Sequence, residues 1–391
     1  IADYLKTAPK QSPFHRFAGG MNLFVKLLKL FQKVFNLLSR NDFVDLLRWN
    51  GKGIGNFHKW KVLLPNGRPL KIEQTLHQIG LTKDYIVLAD TSFKFDADEI
   101  LPQSNKQIAE DIEILGLDLL DYQQLPNTNL YLVRRADLNP NKTSVKVRPV
   151  QIPLAMAHFL VDYDNPDDKI TLHAAHICAT DPSEYIRIID RDINNDPMAT
   201  CDLQKMAGAI SGPMDVSRLG CYVIDAKTGE ITLAKITHNL DYTWATAFYA
   251  CRDYMPTKQF EDIYWSSWGA WPNIISNRIF NLYKDYEDRQ VPSTEVLDLA
   301  NKGIPSSLCH LHIKRKETTE VVDIELKDNY KLPPGCLASS AQFIPRAGKT
   351  GSTEGYIVCV VIQSHNYLSQ KEPKSHIEQW SDNSEIWIFD A

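Results

Sequence analysis

The chain has 391 residues, 43% of them hydrophobic and 23% charged, with a formal net charge of −5 at pH 7. This composition describes a soluble globular protein able to bury a large core. Its basic residues are scattered, so no cationic stripe exists to displace counterions from a phosphate backbone, which argues against nucleic-acid binding.

The chain begins at Ile1 and ends at Ala391, directly after the strand-like EIWIFD, and reads as a piece of a longer polypeptide. No run of about 18 apolar residues is present, so neither a membrane-spanning helix nor an export signal is expected. Residues 21–38, MNLFVKLLKLFQKVFNLL, place Lys26, Lys29, Lys33 and Asn36 near helical spacing among Leu, Phe and Val. That pattern predicts a helix with a wide apolar face and a lysine stripe. It suits a helix packed on a core, and equally a peripheral helix lying in a membrane interface.

From about residue 57 the text changes to short β-branched and aromatic runs separated by turn signals. KWKVLLPNGRPLKIEQ predicts a hairpin about Asn66-Gly67, and GCYVIDAKTGEITLAKI another about Thr228-Gly229. Further strands are predicted in DYIVLADTSF, NLYLVRR, HFLVDYD, KITLHAAHI, LCHLHIKR, EVVDIEL, YIVCVVIQ and EIWIFD. Two stretches interrupt them with helical character, residues 105–119 and 276–303. Many short antiparallel strands in a chain too long for a simple sandwich suggest an all-β propeller with helical insertions, although no clean sequence repeat marks its blades. No interdomain linker is evident, so residues 1–391 are expected to form a single, partial propeller domain.

The seven cysteines are widely spaced, odd in number and include no CxxC pair. They are expected as reduced, mostly buried thiols in a cytoplasmic setting. No phosphate-binding glycine motif, HExxH helix or GxSxG elbow occurs. On a strand, His173 and His176 of HAAH point to opposite faces, which disfavours joint metal ligation, whereas His310 and His312 of LCHLHIKR share a face. His77 and His158 differ from these because each stands at the start of a strand, where a propeller directs side chains toward its axis.

Around those two histidines the sequence resembles the carotenoid cleavage oxygenase family. LHQIGLTKDYIVLADTSFKF is similar to the segment in which an iron-binding histidine precedes a Thr-x-x-Tyr strand and an acidic residue, here His77, Thr82, Tyr85 and Asp90. HFLVDYDN resembles the segment of the next iron histidine, with Tyr163 and Asp164 in the aromatic and acidic positions after His158. QFIPRAGKTGSTEGYIVCVVIQ and SEIWIFDA are similar to the family's late strands, and the likeness runs in order from about residue 57 to the C-terminus.

The resemblance implies a seven-bladed β-propeller, incomplete in this chain, with Fe(II) held on its axis by four histidines. His77 and His158 are the implied metal ligands. Glu261 and Glu354 are the implied carboxylates that orient ligand rings from behind. The implied activity is that of a non-haem iron dioxygenase, which uses dioxygen to cleave a conjugated C=C bond of a carotenoid or apocarotenoid to carbonyl products. Neutral imidazoles suit Fe(II), and an incomplete coordination sphere admits dioxygen. Trp265, Trp268 and Trp271 of YWSSWGAW are candidates to line a substrate tunnel, and the 21–38 helix would bring the protein to a membrane. The family's first histidine lies in a His-Pro segment, which this chain lacks, His15 being a poor substitute. Its last follows the Asp-Ala strand, where this chain stops, so the piece alone is expected to hold iron poorly. Two alternatives stand beside this reading: a stilbene-cleaving dioxygenase of the same fold, and a non-catalytic propeller that binds an apolar ligand or a protein partner.

Overall fold

A computed structural model describes residues 43–53, 55, 57–94, 123–187, 190–194, 207–253, 257–317, 320–363 and 384–391. The helices expected over 21–38 and 105–119, together with His15 and Cys201, lie outside the described residues.

Among the described residues five sheets follow one another. The first joins β1 (Asp45–Trp49), β2 (Phe57–Leu63) and, after an excursion through the second sheet, β6 (Ser144–Lys146). The second is a four-stranded sheet of β3 (Ile79–Leu81), β4 (Tyr85–Asp90), β5 (Asn127–Arg134) and β7 (Arg148–Pro153). The third contains β8 (His158–Val161), β9 (Lys169–His176), β10 (Arg218–Asp225) and β11 (Ile231–Thr237) in sequence order. The fourth repeats this meander with β12 (Thr246–Cys251), β13 (Asp262–Ser267), β14 (Ser307–Lys316) and β15 (Glu320–Lys331). β16 (Cys336–Ala338), β17 (Gln342–Pro345), β18 (Gly355–Gln363) and β19 (Ser384–Asp390) form the fifth. Between β13 and β14 stand α1 (Asn277–Tyr283) and α2 (Ser293–Lys302).

The core has the layered arrangement of propeller blades. One apolar cluster joins the first and second sheets through Trp60, Val62, Leu88 and Val133. The next joins second and third through Val87, Leu132, Phe159 and Leu172. A third seals third against fourth with Leu219, Cys221, Trp265 and Leu311, and a fourth packs fourth against fifth with Tyr264, Leu308, Ile357 and Cys359. Because each inner sheet is packed on both faces, strands in its middle such as β4, β9, β10 and β13 are buried almost throughout. In β9 every residue from Ile170 to His176 is buried, where a sheet with one wet face would alternate.

The turns obey the chemistry written in them. Gly67 and Gly229 take φ of 83°, the left-handed region open to glycine without steric cost. Thr228-Gly229 closes a hairpin from β10 to β11. Asn66-Gly67 closes a shorter return in which Leu64 N–H donates to Arg68 O and Leu70 N–H to Val62 O. The helical stretch over 276–303 is two helices. Ser276 caps the first by accepting from Ile279 N–H at 3.3 Å, and Pro292 precedes the second, where its missing N–H costs nothing.

Candidate metal centre

The first strands of the second, third and fourth sheets bring their leading residues to one place. His77 lies two residues before β3, His158 opens β8, and Phe248 lies on β12.

His77 is fixed from both sides. Upstream, the Asp90 carboxylate at the end of β4 accepts the backbone N–H groups of Glu73 at 2.9 Å and Gln74 at 2.8 Å. Thr91 N–H and its hydroxyl both donate to Thr75 O at 2.9 Å. Downstream, Thr82 Oγ1 accepts from Tyr85 N–H at 2.9 Å and closes the tight connection from β3 to β4. The Thr-x-x-Tyr pattern is thus a side-chain-capped turn, and the acidic residue after it is a latch on the histidine's own loop. Burial raises the Asp90 carboxyl above the usual carboxylate range, against the lowering effect of the hydrogen bonds it accepts.

His158 is carried to the same point by close packing of β3 on β8. Gly80 makes this approach available, since a β-carbon there would lie 2.8 Å from Phe159 Cε2 and 3.1 Å from each Val161 methyl. Ser92 adds a tie, its N–H and hydroxyl both donating to Met156 O at 2.9 and 3.0 Å.

The two Nε2 atoms face each other at 3.1 Å, with ring centroids 5.0 Å apart and planes inclined at 66°. Phe93 stacks on His77 at 4.2 Å, Phe248 lies 5.5 Å from His158, and Trp268 lies 5.6 Å from Phe248. Burial, reinforced by the neighbouring His77, lowers the His158 pKa to about 4, despite the opposing pull of the Ala247 carbonyl. Its Nδ1 is buried and makes no well-formed hydrogen bond. At neutral pH the His158 ring is therefore uncharged and can offer a lone pair.

These two residues fit a shared metal ion as far as a pair can. Nitrogens bound at about 2.1 Å to one ion and about 95° apart lie near the observed separation, and imidazole suits iron, zinc and copper alike. Without a metal, the same geometry is an N–H···N hydrogen bond between rings of complementary tautomer. Among the described residues no group of three or more His, Cys, Asp or Glu side chains could hold a metal ion.

The other candidates make other contacts. Glu261 accepts from Ser352 Oγ at 3.3 Å. Glu354 accepts from Gly351 N–H at 2.9 Å, and Lys349 approaches its other oxygen at 3.1 Å. Neither carboxylate is hydrogen-bonded to His77 or His158 among the contacts observed. Trp268 reaches the aromatic wall of the site, whereas Trp265 is wholly buried in the core between the third and fourth sheets. His173 faces Asp162 at 3.1 Å, while His176 meets Ala155 O and the Tyr222 hydroxyl, as opposite faces of β9 require.

His310 Nε2 and His312 Nδ1 do share a face, and both donate to Asp262 Oδ1, at 2.6 and 2.8 Å. Burial disfavours the Asp262 charge, but His310, Ser352 and His312 together outweigh it and hold the carboxyl near about 2. The strand register supplies this carboxylate by setting Asp262 opposite His312.

Phe93, Phe248, Gln78 and Tyr249 were not singled out by sequence. Phe93 and Gln78 lay inside the quoted His77 segment, and TWATAFYAC carries the alternation of a strand, yet only the packing of three sheets shows that these residues meet.

Residues 58–391 match the family described as retinal pigment epithelial membrane protein, RPE65. Among solved structures, cobalt-substituted apocarotenoid oxygenase of Synechocystis aligns at 11% identity and a TM-score of 0.44, covering 89% of this chain and 52% of that one. The lignostilbene dioxygenase of Pseudomonas brassicacearum aligns at 13% identity and a TM-score of 0.42, covering 90% of this chain and 55% of that one. The chain thus spans about half the length of these structures. No curated protein matches.

Proposed function

The chain belongs to the RPE65 family, the carotenoid oxygenases, and on that premise we propose that it is the iron-binding part of a non-haem Fe(II) dioxygenase that cleaves a conjugated C=C bond of a carotenoid or apocarotenoid. The observation that carries this reading is the meeting of His77 and His158, Nε2 to Nε2 at 3.1 Å, inside an aromatic wall.

His77 and His158 would hold the iron, whose contribution when bound is to activate dioxygen. Two neutral donors leave the charge of the ion uncompensated. Burial keeps His158 free of a competing proton at neutral pH. Phe93 on His77 and Phe248 beside His158, with Trp268 behind it, line the pair with apolar rings and would offer flat, polarizable faces to a rod-shaped polyene. Glu261 and Glu354 are proposed as carboxylates that orient ligands; their observed partners are Ser352 on one side and Gly351 and Lys349 on the other.

An insoluble polyene has to be drawn from a membrane, and the segment 21–38 is the proposed point of peripheral contact. No helix among the described residues is long and apolar enough to cross a bilayer.

The test is anaerobic Fe(II) loading followed by product analysis with carotenoid, apocarotenoid and stilbene substrates. Paired carbonyl products from a polyene, lost in His77→Ala and His158→Ala, are expected. Cleavage of the stilbene alone would move the substrate assignment, and absence of any product from iron-loaded protein would overturn the enzymatic one.

A further inference from the structure

His77, His158 and Phe248, which meet at the site, are each followed by a residue of one hydrogen-bonded chain. Phe159 N–H donates to Gln78 Oε1 at 2.9 Å, and Gln78 Nε2 donates to the Tyr249 hydroxyl at 2.9 Å. The orientation of the amide follows from chemistry, because a backbone N–H can only donate and so must face the carbonyl oxygen. Among the described residues β8 is the terminal strand of its sheet, with β9 as its one ladder neighbour. The Phe159 N–H therefore emerges at the free edge, and Gln78 is its acceptor.

We propose that Gln78 is a positioning residue that sets the spacing of the His77 and His158 imidazoles, by clamping the backbone beside each ring and tying both to β12 through Tyr249. This role rests on the reading of the two histidines as metal ligands, but the spacing itself is a property of the metal-free chain. Phe159 is buried in the core between the second and third sheets, so the clamp is anchored to a rigid element. Tyr249 is held edge-on by Trp265 at 5.5 Å, which fixes the other end. His77 itself has a large exposed fraction. Its ring is oriented by the stacked Phe93 and by the chain on either side of it, and Gln78 is the side chain there that reaches the other two sheets.

The experiment uses the full chain with Gln78→Met, which keeps length and loses both bonds, and Gln78→Glu, which keeps the acceptor for Phe159 N–H and lets the Tyr249 hydroxyl turn to donate. Two quantities are read well below each variant's unfolding midpoint: the imidazole ¹⁵N resonances of His77 and His158 without metal, and Co(II) affinity by absorbance titration. Gln78→Met is expected to shift the resonances and to weaken Co(II) binding roughly 10- to 100-fold, the range typical of groups that orient metal ligands. Gln78→Glu is expected to restore most of both. Unchanged resonances in Gln78→Met, or Gln78→Glu impaired as deeply as Gln78→Met, would overturn the proposal. If the unsubstituted protein takes no Co(II), the metal reading fails on its own, and the resonances alone decide whether Gln78 sets the spacing.

Discussion

Replacing Gly80 by alanine probes the contact on which the meeting of the two histidines depends. The backbone of Gly80 lies outside the positive-φ region, so the change acts through space alone. Its new β-carbon would stand 2.8 Å from Phe159 Cε2, against 3.4 Å for an ordinary contact, and Phe159 is locked among buried neighbours. β3 must then back away from β8 by about half an ångström. Overpacking of this kind costs about 1–3 kcal/mol, and the loss of unfolded-state freedom returns about 0.4–1 kcal/mol. Net destabilisation of about 1–2 kcal/mol is expected in urea unfolding. Drawing the rings back onto one ion would meet part of the same strain, about 1 kcal/mol or roughly fivefold in Co(II) affinity. Stability at or above that of the unsubstituted protein, with unchanged affinity, would refute the claim that β3 and β8 are packed too tightly for a side chain.

Acid should destabilise the fold through two of its histidines, His158 and His176. Burial holds His158 at about 4 and, helped by Arg218, His176 at about 3, both below the ordinary 6.5. The unfolded chain therefore binds more protons below 6.5, and stability intact above that pH falls as pH drops toward 4. Each group contributes a loss of about 2 kcal/mol by pH 5, so a urea midpoint at pH 5 equal to that at pH 7 would contradict the assignment. Lys94 and Glu184 pair at 2.6 Å with both side chains buried, and Tyr283 donates to the same carboxylate. Lys94→Met leaves that carboxylate uncompensated and should cost about 3–5 kcal/mol in the same assay; a loss below about 1 kcal/mol would show the pair to be dispensable. Polar replacement of Leu27, Leu28 and Phe31 should release the protein from liposomes, and unchanged partitioning would remove the proposed membrane contact.

Much of the fold was legible because propeller strands leave a strong local record. Runs such as YIVLAD and KITLHAAHI are apolar on both faces, and Gly67 and Gly229 occupy turns that need positive φ. The helical character of 276–303 is equally local, and the stretch holds two helices. The first ends at Tyr283, and the second starts directly after Pro292, through which a continuous helix could not run because the residue before a proline avoids helical backbone.

The site was half legible. His77 and His158 stood out at strand starts, and Thr82, Tyr85 and Asp90 proved to be the turn and the latch that hold His77 in place. What the chain could not display was pairing between residues far apart in sequence. Asp262 reaches His310 and His312 over about fifty residues of sequence, through a strand register. Gln78 reaches Tyr249 across 171 positions. Contacts of that kind are set by strand register and by how blades stack, and no local periodicity encodes them.

Anomalous diffraction from crystals of the full chain grown anaerobically with Fe(II) puts the central claim to its hardest test. One iron peak at about 2.1 Å from both the His77 and His158 Nε2 atoms is predicted. Iron bound elsewhere, with the two imidazoles still hydrogen-bonded to each other, would contradict it.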